Sequence, residues 1–396
     1  MKSEIRNLGE CIELLTGYPF ESKSYTDARG VRLLRGDNVM QGFVRWEDAK
    51  FWPEEKSKGL ERYLLQTGDV VLAMDRTWVN AGLKCAVVRK YDVPSLLVQR
   101  VGRIRAQAGC STGFIAQVLQ SHRFIQHVKG TQTESAVPHI SSQQIREFTA
   151  WFPPLPEQQK IADILGTWDE ALEKLDALIA AKARRKQALM QQLLTGHRRL
   201  PGFSKPWKRV ELSEVAEECS IRNGQKLDRS RLYAVTKAEG MVPMRENVQG
   251  ATINRCQIVE RGWFAYNPMR INIGSISRWE RDDPVMVSPD YVVFRTKESL
   301  LLSDYLNHLR RAALWADFVG AAGNGSVRIR IWFDDLGYFE FPLPPIAEQR
   351  AIAAVLDTAD AELRLLRRQR TALDHQKRGL IQQLLTGNIR TTPASK

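Results

Sequence analysis

EQQKIADILGTWDEALEKLDALIAAKARRKQALMQQLLTG, residues 157–196, returns 191 positions later as EQRAIAAVLDTADAELRLLRRQRTALDHQKRGLIQQLLTG, residues 348–387. The two copies align without a gap, and about 18 of the 40 positions are identical. Each copy follows a proline-rich stop, and each stop closes a body of roughly 140 to 150 residues. The chain therefore reads as body, arm, body, arm. Boundaries fall at 1–154, 155–200, 201–344 and 345–396. A duplicated arm carrying two different bodies suggests a scaffold with two readers.

Stepping alternately by four and three from Ile161 picks out one stripe on each arm. The first is Ile161, Leu165, Trp168, Leu172, Leu175, Ile179, Lys182, Lys186, Leu189 and Leu193. The second is Ile352, Leu356, Ala359, Leu363, Leu366, Arg370, Leu373, Lys377, Leu380 and Leu384. This is a heptad seam with polar members near its middle. Pro154 and Pro156 precede the first arm, and Pro344 and Pro345 the second. Gly196 and Gly387 stand where a helix-ending glycine would stand. Each arm should be one helix of about 38 residues, roughly 57 Å long. One apolar stripe on so long a helix needs a partner, and the other arm is the simplest. The pair could run antiparallel or parallel. The cations Lys182, Arg184, Arg185 and Lys186, with Arg364, Arg367, Arg368 and Arg370, either face phosphates or form a solvated face.

The 396 residues suffice for two domains that each bury a core. A net charge of +13 points to a polyanionic partner, nucleic acid before membrane. Five scattered cysteines without a CxxC argue against a disulfide framework or zinc site and fit a reducing cytosol. No apolar run approaches a membrane span of roughly 18 residues. A cytoplasmic location follows as the expectation, with no membrane partner.

The bodies are related more faintly. Leu8-Gly9-Glu10 matches Leu212-Ser213-Glu214, and GDVVLAMDR (68–76) matches GWFAYNPMR (262–270) as an apolar strand ending on arginine. FTAWFPPLP (148–156) and YFEFPLPP (338–345) close the bodies. Short strands mix with a few helices, such as 303–319, so the expected class is α+β with small sheets. Enzyme signatures are missing. There is no GxxxxGK[ST] and no HExxH, and His122 and His127 stand alone. The glycine run 320–325 follows a helix and precedes a strand, VRIRIWF, the reverse of the order that phosphate cradling needs. Tyr266-Asn267-Pro268-Met269 half-matches an adenine amino-methyltransferase motif without its second proline or aromatic.

PPLPEQQKIADIL (153–165), PLPPIAEQRAIAAVL (342–356), QQLLTG in both arms and FAYNPMRINIGSI (264–276) together carry a family resemblance. The chain resembles the specificity (S) subunit of Type I restriction–modification systems, over essentially its whole length. The resemblance implies two α/β-type target recognition domains joined by two long antiparallel coiled-coil helices, a pseudo-twofold internal repeat. It implies that each body reads one half of a split, asymmetric site in double-stranded DNA. It implies two modification (M) methyltransferase subunits docked on the arms, and it allows for two restriction (R) subunits. No catalytic, cofactor or metal site is then expected in this chain. S-adenosylmethionine would sit on the M subunit, and ATP and Mg on the R subunit. A four-residue insertion in an arm, about 6 Å of helix, should lengthen the unread gap by nearly two base pairs.

Base readout favours Arg, Lys, Asn and Gln on loops and element ends. The candidates in the first body are Arg76, Asn80, Lys84, Thr131 and Gln132. Those in the second are Asn267, Arg270, Asn272, Asn324, Ser326 and Arg328. Trp78 and Tyr266 would line the groove or pack in the core. Two other readings compete: a fused methyltransferase–specificity enzyme, opposed by the missing motifs, and a coiled-coil adaptor without DNA, opposed by the charge.

Overall fold

Both copies of the repeat are single helices, Leu155–Leu193 and Ile346–Leu385. They form because alanine, leucine and long polar side chains fill them and proline is confined to the first turn. They end at Gly196 and Gly387, at φ +75° and +76°, the left-handed conformation that glycine adopts without steric cost. The computed structural model of the chain describes residues 4–79, 82–131, 139–245, 252–321 and 330–391.

The chain divides into two compact units, Met1–Asp176 with Gln369–Lys396, and Ala177–Arg368. Each holds one body and half of each arm, so the division runs through the arms and not between arms and bodies. In the first unit Asp169 meets Lys377, and Asp176 meets Arg370 at 3.1 Å. In the second, Lys182 meets Glu362 and Lys186 meets Asp360, both at 2.5 Å. Numbers fall along one arm as they rise along the other, so the pairing within each unit is antiparallel. Lys182 and Lys186 are thus engaged across the helix pair, whereas Arg184, Arg185 and Arg364 are exposed.

The seam positions lie on the covered side. Ile161, Leu165 and Leu384 join the core of the first body, and Leu193, Ile352 and Leu356 that of the second. Leu172 and Leu363 are buried, and Trp168, Leu175, Leu189, Leu366, Leu373 and Leu380 half-buried. The arm ends are therefore body-core elements.

The two bodies repeat one α+β plan. In the first, a four-stranded sheet runs in the order Ile12–Thr16, Val101–Ala106, Val70–Ala73, Cys85–Val87. In the second, the order is Ala216–Glu218, Val292–Thr296, Phe264–Tyr266, Ile276–Arg278. All neighbours in both sheets are antiparallel. A second sheet in each body contains one parallel pair, Val31–Leu34 with Ser95–Leu97 and Leu232–Thr236 with Val285–Val287. GDVVLAMDR and GWFAYNPMR occupy the same place in their sheets. The helix expected over 303–319 is two, Ser303–Leu309 and Ala313–Ala321. The chain turns between them at Arg310, whose guanidinium donates to Asn307 and to the Ile276 carbonyl at 3.0 Å. The strand expected in VRIRIWF begins outside the described residues, and Phe333 opens a short helix, Phe333–Gly337.

Each body's first strand pairs with its last, Glu4–Asn7 with Thr149–Phe152 and Lys208–Glu211 with Glu340–Leu343. The chain thus leaves each body beside its start and turns directly into an arm. The Glu-Gln pair that opens each arm holds this junction. Gln158 accepts from the Ser111 backbone at 2.9 Å and donates to the carbonyl of Pro153 at 2.8 Å. Gln349 does the same with Leu302 and Pro344, both at 2.8 Å.

Candidate nucleic-acid interface

The loop that leaves the third strand of each main sheet is where the predicted residues gather. In the first body it runs from Met74 to Lys84. Arg76 is exposed with φ +46°, a conformation that side-chain-bearing residues rarely adopt. It makes no ion pair among the described residues. Its neighbour Asp75 is occupied by Arg100 at 2.9 Å and by the ring of His139. The Ile140 backbone donates to the Met74 carbonyl at 2.9 Å. His139 and Ile140 therefore lie against this loop, and the Lys129 ammonium, two residues before Thr131, stands over the Trp78 ring. Thr131 ends that helix and donates its hydroxyl to the His127 carbonyl at 2.7 Å.

The second body repeats the arrangement. Ile331, 191 positions after Ile140, donates its backbone N–H to the Pro268 carbonyl at 3.1 Å. Asn267 accepts from the Met269 backbone at 2.9 Å, which stiffens the turn that presents Arg270 and Asn272, both exposed. Asn80, Gln132, Asn324, Ser326 and Arg328 lie outside the described residues.

Two candidates need correction. Tyr266 is wholly buried and packs on Phe294. Burial raises its phenol well above the ordinary range, so it belongs to the core and not to a groove wall. The alternation that points Ala265 one way points Tyr266 into the core beside Phe264. Lys84 is 7% exposed and donates to the Gly36 carbonyl at 3.3 Å, so its ammonium holds a turn in place. Trp78 stands half-buried on the short hairpin Trp78–Val79 with Gly82–Leu83, under the Lys129 ammonium at 5.4 Å.

Sequence reading missed the cationic clefts beside these loops. In the second body a cleft of about 650 Å³ is lined by Asn272, Lys237, Arg278, Arg281, Arg310 and Arg311, with Glu239 and Glu280. Burial lowers the Arg310 pKa, and the Arg311 and Arg278 charges add to the effect. Such a site gains from an incoming anion. In the first body Arg35, Arg45 and Lys84, with Asp37 and Asp48, line a cleft of about 500 Å³ that reaches Val79 of the loop. The adjacent pair Arg310-Arg311 was a visible signal; nothing local marked Arg35 or Lys237. Among the described residues no helix is long and apolar enough to cross a membrane.

Residues 2–182 match a family model described as the Type I restriction modification DNA specificity domain. The chain is 36% identical over 173 residues to the Type I restriction enzyme EcoAI specificity subunit of Escherichia coli, covering 43% of this chain and 27% of that one. It is 28% identical over 209 residues to the MjaVIII specificity subunit of Methanocaldococcus jannaschii, covering 51% and 47%. Less than half of either relative's length is therefore spanned. The putative MjaX specificity subunit of the same archaeon aligns over 98% of this chain and 93% of its own length, at 20% identity. Among solved structures, the Type I restriction–modification S subunit from M. genitalium superposes with a TM-score of 0.63 at 13% identity, covering 97% and 96%. A chain from a study of complex assembly and conformational transition of the type I R-M system gives 0.56 at 17% identity, covering 98% of both. At these identities the structural likeness is one of fold.

Proposed function

We propose, from the match of residues 2–182 to the Type I restriction modification DNA specificity domain, that the chain is a specificity subunit of a Type I restriction–modification system and reads a split, asymmetric DNA site. Each body takes one half-site in the major groove. One observation carries the reading: two bodies share strand order and junction chemistry, yet the loops at their equivalent ends present different side chains. A common frame with divergent loops suits one polymer read at two different sequences. The cations of the neighbouring clefts take phosphates, which position a reader without specifying bases.

The arms act as the spacer between the two reads and as matching seats for two methyltransferase subunits, since a repeated surface can hold two copies of one partner. The chain contributes recognition and no catalysis. S-adenosylmethionine belongs to the methyltransferase partner, and ATP and Mg to a restriction partner. The whole works in the cytoplasm, where the DNA is.

Methylome sequencing of a host carrying the complete system tests this. A bipartite, asymmetric motif methylated on adenine is expected, and it should vanish when this chain is deleted. A continuous motif, or methylation indifferent to the deletion, refutes the proposal.

A further inference from the structure

The two reader loops share a position and differ in chemistry. The loop of the second body is locked by its own backbone. Asn267 N–H bonds the Ser275 carbonyl at 3.1 Å, and Ser275 N–H bonds the Arg270 carbonyl at 3.0 Å. Ile271 anchors it in the core, and Gly274 at φ +94° closes it, a conformation suited to glycine. On this rigid turn Met269 is 49% and Ile273 55% exposed, on either side of exposed Arg270. The bond from Ile331 to Pro268 brings Arg330 and the 46% exposed Trp332 to the same edge. Large apolar side chains set among cations mark a surface that covers apolar groups on a polyanion. Among the described residues of the first body, polar side chains stand where Met269 and Trp332 stand in the second, although Trp78 and Val79 lie on the same loop. Asp75, His139 and Arg100 form an ionic cluster there, and Ser141 stands 191 positions before Trp332.

Resting on the DNA-reading role, we infer that the second body recognises thymine through its 5-methyl group, with Met269 and Ile273 as the contacting side chains, Trp332 flanking them and Arg270 reading an adjacent guanine. The first body reads its half-site by hydrogen bonds. The thymine methyl is the apolar group that the major groove offers, and guanine O6 and N7 are the natural partners of arginine. A turn held by its backbone can present both without ordering a loop on binding.

Deoxyuridine isolates the methyl, because it keeps every hydrogen-bonding group of thymine. Binding of the full chain with its methyltransferase partner is measured on duplexes bearing the methylome-derived site. Thymines are replaced by deoxyuridine in one half-site at a time, and a scrambled half-site serves as control. One half-site should lose affinity about fourfold per contacted methyl, and the other should be unchanged. The double variant Met269→Ala with Ile273→Ser should bind thymine and deoxyuridine duplexes equally. Equal affinities of the unaltered protein for both duplexes, with scrambling still harmful, overturn the thymine inference and leave the DNA-reading role standing. Indifference to scrambling as well overturns both. A double variant that keeps its preference for thymine, or that loses the methyltransferase and not the DNA, also overturns it.

Discussion

The Arg390 guanidinium donates two hydrogen bonds to the Glu157 carboxylate, at 2.8 and 2.7 Å. Arg199 repeats this on Glu348, at 2.5 and 2.6 Å, in the other unit, and both pairs are displaced by the 191 residues of the repeat. In each case the segment just past one arm's glycine stop closes on the first turn of the other arm. A tryptophan lies against each arginine, Trp151 at 5.3 Å and Trp207 at 5.2 Å. Their rings also pack on Gly387 and Gly196, where a Cβ would come within 2.9 and 3.2 Å. Trp151 belongs to a body's last strand and Trp207 to the approach to the other body's first. The latch is duplicated, and its aromatic cover is supplied from two different places.

Arg390 holds the Glu157 pKa below the ordinary glutamate value of 4.5. As pH falls, the unfolded chain takes up this proton before the folded one does. The stabilisation is therefore complete above 4.5 and disappears as pH drops through the lowered folded value. Arg390→Ala should lower the urea midpoint of the first unit at neutral pH, and the difference from wild type should close in acid. A gap that persists at about pH 3 would point to lost packing on Trp151 instead.

His308 should make the second unit sensitive to mild acid. It is buried, its Nε2 meets Asp357 at 2.8 Å and its Nδ1 has no partner among the described residues. Burial lowers its pKa from 6.5 and outweighs Asp357, which raises it; Lys186 lowers it and Asp360 raises it. Stability is then full above 6.5 and falls as pH drops below it, because the unfolded chain binds the proton more readily. Gln117 is the equivalent residue of the first body. His308→Gln should flatten the melting temperature between about pH 7 and 5.

Leu165 and Leu356, 191 positions apart, are both fully buried, each in its own body's core. Truncating either to alanine should cost about 2–5 kcal/mol. Calorimetry should show Leu165→Ala shifting the first unit and Leu356→Ala the second. Leu178→Ala, at a position 42% exposed off the seam, should stay within about 0.5 kcal/mol.

The polar seam pairs should respond asymmetrically. Lys377 is 8% exposed beside Asp169, which also accepts from Gln117 at 2.9 Å. Lys377→Met replaces a buried charge by a side chain of similar shape and should be neutral or stabilising. Asp169→Ala strands the buried ammonium and should destabilise by about 1–3 kcal/mol. Chemical denaturation of the two variants gives the order directly.

Arg76 and Arg270 should each govern one half-site. Arg270→Ala is expected to relax one base pair of one half-site by about 1–3 kcal/mol of discrimination, and Arg76→Ala one of the other. Methylome profiles of the variants decide. A uniform loss at every site would make the arginine a phosphate contact.

The arms were legible from the chain alone because helix signals are local. Heptad spacing, proline at the start and glycine at the stop all lie within a few residues of what they control, and a repeat exposes them twice. The same locality showed that GDVVLAMDR and GWFAYNPMR correspond. What lay beyond reach depended on partners distant in sequence. Three-residue strands carry no period from which sheet order can be read, so only the fold shows that Tyr266 turns inward while Arg270 four residues on turns out. Only the fold brings Ile331 to Pro268 and Arg390 to Glu157, because those meetings follow from which strands pair and in which sense the arms run. The sequence by itself determined the frame. The tertiary structure decided the reading edge, since burial and long-range hydrogen bonding choose which of many similar polar residues stays free to meet a ligand.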